Sequence, residues 1–311
     1  MRASLADSLL HLRDVAASAT GSAFFDLAPT LSEIRAHRIL PGIFGRYFDL
    51  VFALQKSQYS EAAKLFREIA ELAVEEPGLA VLPFSDEALR NDVERYGRLL
   101  SLESGSWPVL APPKQAEWDL FQRNVAAALS LIEETDGGLA SEFYALVTQI
   151  VGMGAPQKSD GYGYAGVSSF MLWGAIMLSI RQHGTVLDMI AGLVHEAAHL
   201  LLFGLSVDNP FVENAVHERF SSPLRIDPRP MDGVFHATFV CARMHYAFAR
   251  LLRASATLSQ PLETALIERR VADCRSGFFD GYETVQRFGR LTANGQVILT
   301  AAAEYMQTPE Q

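Results

Sequence analysis

The sequence predicts a mainly α-helical fold with one small β-sheet, an α+β class in which helices dominate. Apolar residues recur at helical intervals through most of the chain, whereas residues 143–177 are rich in β-branched and aromatic types. Hydrophobic residues make up 49% and charged residues 20% of the 311 positions, which is enough apolar surface for a sizeable core. We expect an N-terminal helical lobe over 1–105 and a second region over 114–311, either separate from the lobe or continuous with it.

The N-terminal lobe is predicted from three apolar stripes. They recur at helical spacing over residues 44–54, 62–73 and 89–100, and the second carries lysine, arginine and glutamate on its other face. We interpret them as helix-packing faces. The stretch that follows, 106–113, contains three prolines and is the predicted linker to the second region.

The second region begins with a predicted helix over 116–133 and continues into two predicted strands, 143–153 and 162–177. These strands are expected to form a small sheet that packs beside the next helix. Thr185 is the expected N-cap of that helix, and Gly204 is its expected end. Predicted helices cover residues 185–203, 233–252, 261–286 and 292–306.

The predicted helix over 185–203 contains His195-Glu-Ala-Ala-His199 in a run that is otherwise apolar. Residues four apart share one face of a helix, so both imidazoles can bind the same metal ion. Glu196 lies beside them, where a carboxylate can contact metal-bound water or orient a ligand. A helix that is apolar nearly all round is buried, and a metal ion is a common partner for ionisable groups buried there. The alternative is a pair of core histidines bonded to backbone carbonyls.

Two histidines do not complete a metal site, because catalytic zinc or iron takes about three protein ligands and keeps open positions. We expect His236 to be the third ligand, since it lies in an apolar segment at the start of a helix. Glu218 is the alternative, as the carboxylate ligand that thermolysin-like peptidases take from the next helix. The remaining candidates are Asp208, Glu213 and His217.

A proline-rich stretch over 221–230 joins the two predicted metal-binding helices and carries Arg225 and Arg229. We interpret this stretch as a rigid loop that borders the site. A guanidinium held there can bind a carboxylate in bidentate fashion. For each arginine, the alternative is a structural salt bridge to Asp227 or Asp232.

Composition argues against several classes of partner. The net charge of −10 and the lack of a basic stripe with interleaved aromatic residues argue against nucleic-acid binding. No stretch of about twenty uncharged apolar residues occurs in the sequence, so we expect no membrane partner. The first residues carry charges where a signal peptide is apolar, and Cys241 and Cys274 form no disulfide framework, which favours a cytoplasmic protein. The sequence leaves the oligomeric state open.

Three segments resemble those of HExxH-motif proteins that are encoded beside ribosomally made, post-translationally modified peptides. They are Gly166-Val-Ser-Ser-Phe-Met-Leu-Trp-Gly-Ala-Ile, Leu193-Val-His-Glu-Ala-Ala-His-Leu, and Ser222-Pro-Leu-Arg-Ile-Asp-Pro-Arg-Pro-Met-Asp-Gly-Val-Phe-His236. The third is much more specific than HExxH alone. Together they cover roughly residues 144–244, whereas the N-terminal third is similar only in being helical.

Members of this group are similar to oxygenases that use iron and α-ketoglutarate to β-hydroxylate residues of a precursor peptide. The resemblance implies that three histidines bind Fe(II) and that Arg225 binds the distal carboxylate of α-ketoglutarate. The expected site residues are the metal ligands His195, His199 and His236 and the cosubstrate-binding residues Ser222, Arg225 and Arg229.

The expected function is therefore hydroxylation of a precursor peptide, with Glu196 orienting a ligand or a substrate amide. The alternative is a zinc-dependent HExxH metallopeptidase, in which Glu196 is the general base on metal-bound water. His236 and Arg225 discriminate between the two, because a thermolysin-like peptidase would use Glu218 and needs no arginine for a keto acid. A third class, a binding protein with a structural metal, would require a fourth protein ligand nearby.

Overall fold

The computed structural model describes residues 1–21, 26–72, 78–104, 111–154 and 165–308, without the side chains of residues 102–104, 225 and 226. Most of the predicted linker and the beginning of the second predicted strand lie outside these residues. In the part that is described, the chain is mainly helical, with a four-stranded and a two-stranded β-sheet. The predicted α+β class with dominant helices is confirmed.

Eleven α-helices and six β-strands occur in the described ranges. The helices are α1 (Arg2–Thr20), α2 (Ala28–Ala36), α3 (Pro41–Gln55), α4 (Tyr59–Leu72), α5 (Val93–Ser104), α6 (Gln115–Thr135), α7 (Gly137–Leu146), α8 (Val186–Leu205), α9 (Met231–Ala254), α10 (Thr264–Phe288) and α11 (Ala293–Gln307). The strands are β1 (Ala80–Pro83), β2 (Gln149–Met153), β3 (Gly166–Ser168), β4 (Ala175–Ser179), β5 (Phe220–Ser222) and β6 (Arg225–Arg229).

The chain divides into two compact units, each made of two segments. Unit 1 comprises Met1–Trp118 and Val147–Arg181, and unit 2 comprises Asp119–Leu146 and Gln182–Gln311. The predicted division into 1–105 and 114–311 places the sheet in the second region, whereas in the structure the four-stranded sheet belongs to unit 1. In the structure β1, a strand that the sequence pattern did not predict, pairs in parallel with β2, and this pairing joins the sheet to the N-terminal helices.

Unit 1 contains the four-stranded sheet, in which the strand order is β1-β2-β4-β3. The first three strands are parallel, and β3 runs antiparallel to β4. Every residue of β2 is buried, as is typical of a central parallel strand. The strand predicted over 143–153 is wrong in its first part, because residues 143–146 are the end of α7. Packing of Phe143 in that helix overrides the local β propensity.

Unit 2 is built around α9, which packs against α8, α10 and α11. Its core is aromatic near the start of α9, where the rings of Phe211 and Phe235 stack with centroids 4.9 Å apart. Val234 and Leu202 are fully buried in the same cluster. The apolar face of α8 is therefore covered, which is the reason for its nearly continuous run of apolar residues.

The N-terminus of α8 is held by three polar side chains. The Oγ1 atom of Thr185 accepts a hydrogen bond from the backbone N–H of Asp188 at 3.1 Å, which confirms the predicted N-cap. The Asp188 carboxylate lies in the first turn, where it interacts favourably with the helix dipole, and it forms an ion pair with Arg270 of α10. The predicted end at Gly204 is wrong: this glycine has no positive φ, and the helix continues to Leu205.

The stretch over 221–230 is not the loop that the sequence predicts. Its residues form an antiparallel pair, β5 and β6, in which Phe220 is opposite Arg229 and Ser222 is opposite Arg225. Pro223 and Leu224 connect the two strands, and β6 leads directly to the first turn of α9. Backbone pairing thus provides the rigidity that the prolines suggested.

In the described ranges, α8 is the one helix long and apolar enough to cross a membrane, judged by length and composition alone. More than half of its most apolar window is buried within the protein, at 56%. A core helix of a soluble protein passes the same test, and α8 also carries Asp188 and Glu196. A soluble protein is therefore consistent with the fold.

We expect Thr185→Ala to lower the free energy of unfolding by about 1 kcal/mol, because the substitution removes the N-cap of α8. Denaturant-induced unfolding measures this change. Thr264→Ala is the control, since Thr264 is exposed at the start of α10 and its loss should cost less than about 0.5 kcal/mol. Equal losses in the two variants would show that the cap does not stabilise α8.

Candidate metal centre

Two imidazoles converge on one face of α8. The Nε2 atoms of His195 and His199 are 3.2 Å apart, and the ring centroids are 4.9 Å apart. The spacing of four residues on a regular helix is sufficient to place them so. Both side chains are partly exposed, so the pair is accessible from solvent.

The geometry of this pair suits a shared metal ion. Nitrogen ligands lie about 2.0–2.1 Å from zinc, and two of them separated by 3.2 Å subtend roughly 100° at the ion. That angle is between the octahedral and tetrahedral values. His195 and His199 therefore fit as two neighbouring ligands of one ion without any movement of the helix.

His236 extends from α9 to the other side of the His199 ring. Their Nδ1 atoms are 3.2 Å apart, and the two rings stack with an interplanar angle of 25°. Phe203 and Phe211 also contact His236, with ring centroids at 5.5 and 6.2 Å, and Oδ1 of Asp232 lies 3.9 Å from its Nε2. The structure thus brings together all three histidines that the sequence predicts as ligands.

The three rings nevertheless do not point at a single position. His199 faces His195 with Nε2 and His236 with Nδ1, and these two nitrogens lie on opposite sides of its ring. No group of three or more His, Cys, Asp or Glu side chains among the described residues has an arrangement that could hold a metal ion. In this arrangement an ion bound by the Nε2 pair would not have His236 as a ligand.

The protonation state of the histidines favours metal binding. Burial lowers the pKa of His199 to about 3, and the neighbouring His236 lowers it further. Burial alone lowers the pKa of His236 to about 4. Both imidazoles are therefore neutral at pH 7, and a neutral imidazole offers the lone pair that a metal ion needs.

Glu196 is the buried carboxylate of the site. Its residue is only 3% exposed, and its Oε1 atom lies 4.0 Å from Nε2 of His195. This separation is too long for a hydrogen bond but short enough for both groups to contact one small ligand between them. The carboxylate thus lies where a base or a ligand-orienting group is useful.

Glu218, the alternative third ligand, is engaged elsewhere. Its carboxylate accepts hydrogen bonds from the Asn214 side chain, the Ala215 backbone and Arg290, at 3.1, 3.0 and 2.8 Å. The hydrogen bond from Arg290 is the main reason that the pKa of Glu218 falls to about 2. The other sequence candidates are exposed: Asp208, Glu213 and His217.

The expected cosubstrate residues lie on the β5–β6 hairpin. The side chain of Arg225 is outside the described part of the chain, although its backbone pairs with that of Ser222. Arg229 forms an ion pair with Asp227 at 3.0 Å, which is the structural role that the sequence left open for it. The Oγ atom of Ser222 and the Nε atom of Arg229 are buried without a hydrogen-bond partner among the described residues.

Sequence reasoning missed one buried histidine near the site. His183 is only 3% exposed, and its ring lies against Gly192 of α8. A glycine in the interior of an apolar helix is the signal that could have revealed it, because glycine disfavours helices unless something must approach the backbone closely.

The sequence matches no protein-family model, and no curated protein matches it.

We expect the protein to bind one divalent metal ion, and His195→Ala, His199→Ala and His236→Ala each to weaken that binding. Loss of a direct ligand should cost more than the roughly 10- to 100-fold that loss of a supporting partner costs. Titration with Fe(II) under anaerobic conditions, or with Co(II), measures the affinity.

His217→Ala and Glu218→Gln are the matched controls, since His217 is exposed and Glu218 is held by Arg290. Both should bind metal as tightly as the wild type. Unchanged metal affinity in His236→Ala, together with weaker metal binding in Glu218→Gln, would show that Glu218 and not His236 is the third ligand.

Proposed function

We propose that this protein is a non-heme Fe(II)- and α-ketoglutarate-dependent oxygenase that β-hydroxylates a residue of a ribosomally made precursor peptide in the cytoplasm. The observation that carries the proposal is the contact of three imidazoles, His195, His199 and His236, on two packed helices. The similarity of the hairpin and HExxH segments to those of peptide-modifying oxygenases supports the choice of reaction.

The ligand set supports an oxygenase over a peptidase. A thermolysin-like enzyme would need Glu218 at the metal, and that carboxylate is committed to Asn214 and Arg290. His236, in contrast, already contacts His199, although it meets the Nδ1 atom and not the Nε2 atom that faces His195. Three histidine ligands, if they hold the metal, would leave it open to a keto acid and dioxygen.

When bound, Fe(II) would activate dioxygen, the oxidant, to break an unactivated C–H bond, while α-ketoglutarate would supply the other two electrons and be converted to succinate and CO₂. The chain's own residues bind and orient the ligands, and they exclude water from the site. Phe203 and Phe211 enclose His236, so the interior side of the site is apolar. Glu196, buried beside His195, is placed to orient a ligand or a substrate amide.

The β5–β6 hairpin is the proposed binding element for α-ketoglutarate. It packs against α9, the helix that carries His236, and β6 leads into that helix. The buried Oγ of Ser222 and Nε of Arg229 are donors that a carboxylate can satisfy. Arg225, opposite Ser222 in the hairpin, is the proposed partner of the distal carboxylate.

A zinc-dependent hydrolase is the second candidate. The position of Glu196 supports it, because a carboxylate 4.0 Å from Nε2 of His195 can take a proton from water bound next to that nitrogen. In this case Glu196 is the general base and the peptide is cleaved rather than hydroxylated.

We expect the purified protein, supplied with Fe(II), α-ketoglutarate, dioxygen and a precursor peptide, to add one oxygen atom to the intact peptide. The proposed function implies that such a precursor is a short peptide encoded beside this protein. Mass spectrometry with labelled dioxygen should show the label in the product, because the oxygen of a hydroxylation comes from dioxygen and not from water.

Glu196→Gln separates the two candidate functions. An oxygenase in which Glu196 only orients a ligand keeps its metal and part of its activity. A hydrolase loses its general base and nearly all of its rate. Peptide fragments that form without dioxygen or keto acid, and that disappear in Glu196→Gln, would replace the oxygenase with the hydrolase.

We expect α-ketoglutarate to produce a weak visible charge-transfer band with the anaerobic Fe(II) protein, and Arg225→Ala to abolish it by removing the partner of the distal carboxylate. Arg229→Ala should have a smaller effect, since Arg229 already pairs with Asp227. Arg219→Ala, an exposed arginine of the same segment, is the control and should leave the band unchanged. An unchanged band and unchanged keto-acid affinity in Arg225→Ala would remove this residue from the site.

A further inference from the structure

His183 is a buried polar residue that the proposed metal site does not use. It is 3% exposed and precedes the N-cap of α8 by two positions. Its backbone is fixed, because the Nδ2 atom of Asn124 on α6 donates a hydrogen bond to its carbonyl oxygen at 3.1 Å. Asn124 is itself buried, so α6 holds the chain here from inside unit 2.

The ring of His183 lies directly on the backbone of α8 at Gly192. A Cβ atom at position 192 would be only 2.2 Å from Nε2 and 2.6 Å from Cδ2 of His183. Any side chain at this position would therefore displace the imidazole. A glycine in the middle of α8 destabilises the helix, because glycine has a poor helix propensity. It also leaves the space that the imidazole occupies.

Helix geometry directs the side chain of Glu196 towards the same part of α8. Residues 192 and 196 share a face, and helical side chains lean towards the N-terminus, so the side chain of Glu196 extends over the turn that contains Gly192. Both Glu196 and His183 are 3% exposed. Two buried polar side chains thus occupy one small region of the α8 surface, where water is excluded.

We propose that His183 is a positioning residue that donates a hydrogen bond from Nε2 to the carboxylate of Glu196 and holds that carboxylate beside His195. A buried carboxylate requires hydrogen-bond donors, and an imidazole N–H is a suitable one. Because Gly192 has no side chain, the imidazole of His183 can come close enough to α8 to reach Glu196. Three elements, α6, the segment before α8 and α8 itself, then determine the orientation of Glu196.

The proposed contact between His183 and Glu196 requires no assumption about the reaction, whereas its catalytic consequence rests on the proposed function. An oxygenase needs the Glu196 carboxylate in one orientation to hold a ligand or a substrate amide, and outer hydrogen-bond partners of this kind typically contribute 10- to 100-fold in activity.

The contact is tested in the metal-free protein by NMR of ¹⁵N-labelled histidine side chains. A hydrogen-bonded, buried Nε2–H exchanges slowly with water, so His183 should give a protected imidazole N–H signal, assigned by its loss in His183→Gln. The signal should disappear in Glu196→Ala, which removes the acceptor, and in Gly192→Ala, which displaces the ring.

Gly137→Ala is the matched control, because a Cβ at this position of α7 meets nothing within 4 Å, and the signal should persist in it. Persistence of the His183 signal in Glu196→Ala would show that another group accepts the hydrogen bond and would overturn the proposal. The outcome of this experiment does not depend on whether the protein is an oxygenase.

The catalytic consequence is tested with His183→Leu and His183→Gln. His183→Leu should reduce the rate about 10- to 100-fold at unchanged metal affinity, and His183→Gln should recover part of the rate because its amide can donate to Glu196. A parallel fall of metal affinity and rate in both variants would assign His183 a merely structural role. Lack of any product from the wild type contradicts the proposed function, while the NMR result still decides the contact.

Discussion

The contact of His199 with two other imidazoles is the interaction on which the site depends. One of its ring nitrogens faces His195 on the same helix, and the other faces His236 on α9. A buried polar atom without a partner costs about 1–3 kcal/mol, so the contact with His236, which is 8% exposed, matters for stability as well as for the geometry of the site. The packing of α8 against α9 is therefore coupled to the geometry of the histidines, and neither helix can shift without separating a pair of nitrogens.

The position of α8 is in turn determined at its N-terminus. The Thr185 side chain accepts a hydrogen bond from the backbone N–H of Asp188 in the first turn. The Asp188 carboxylate forms an ion pair with Arg270, which connects that turn to α10. His183 lies just before the cap and packs on Gly192, one turn before Glu196. A small residue in the helix and a fixed segment before it thus bring polar groups together in an otherwise apolar core.

Two ion pairs engage charged side chains in and just before the hairpin, Glu218 with Arg290 and Asp227 with Arg229. Glu218 is held by Arg290 and Asn214, at the beginning of the segment that becomes β5. This arrangement stabilises the approach to the hairpin and keeps a carboxylate away from the histidines. Arg229 pairs with Asp227 within β6, so the hairpin balances part of its own charge. Arg225 is the remaining arginine of the hairpin, and it is the residue that the proposed function assigns to the keto acid.

The sequence alone determined the features that depend on local spacing. These are the dominance of helices, the N-cap at Thr185, and the pair His195 and His199, because four residues on a regular helix are enough to bring two side chains together. Burial of Glu196 also followed from the apolar residues around it. Local pattern was less reliable for the end of α8 and for residues 143–146, where packing overrode intrinsic preference.

Only the tertiary structure decided the contacts between residues distant in the chain. His236 meets His199 across 37 positions, β1 pairs with a strand more than sixty residues later, and the proline-rich stretch becomes a hairpin instead of a loop. The glycine at position 192 indicates a close approach to α8, but only the folded structure identifies His183 as the residue that packs there. Such contacts form because helices and strands bury their apolar faces together, and the free energy of that burial is distributed over many residues. No short motif encodes it, so the geometry of the site emerges only when the whole unit has folded.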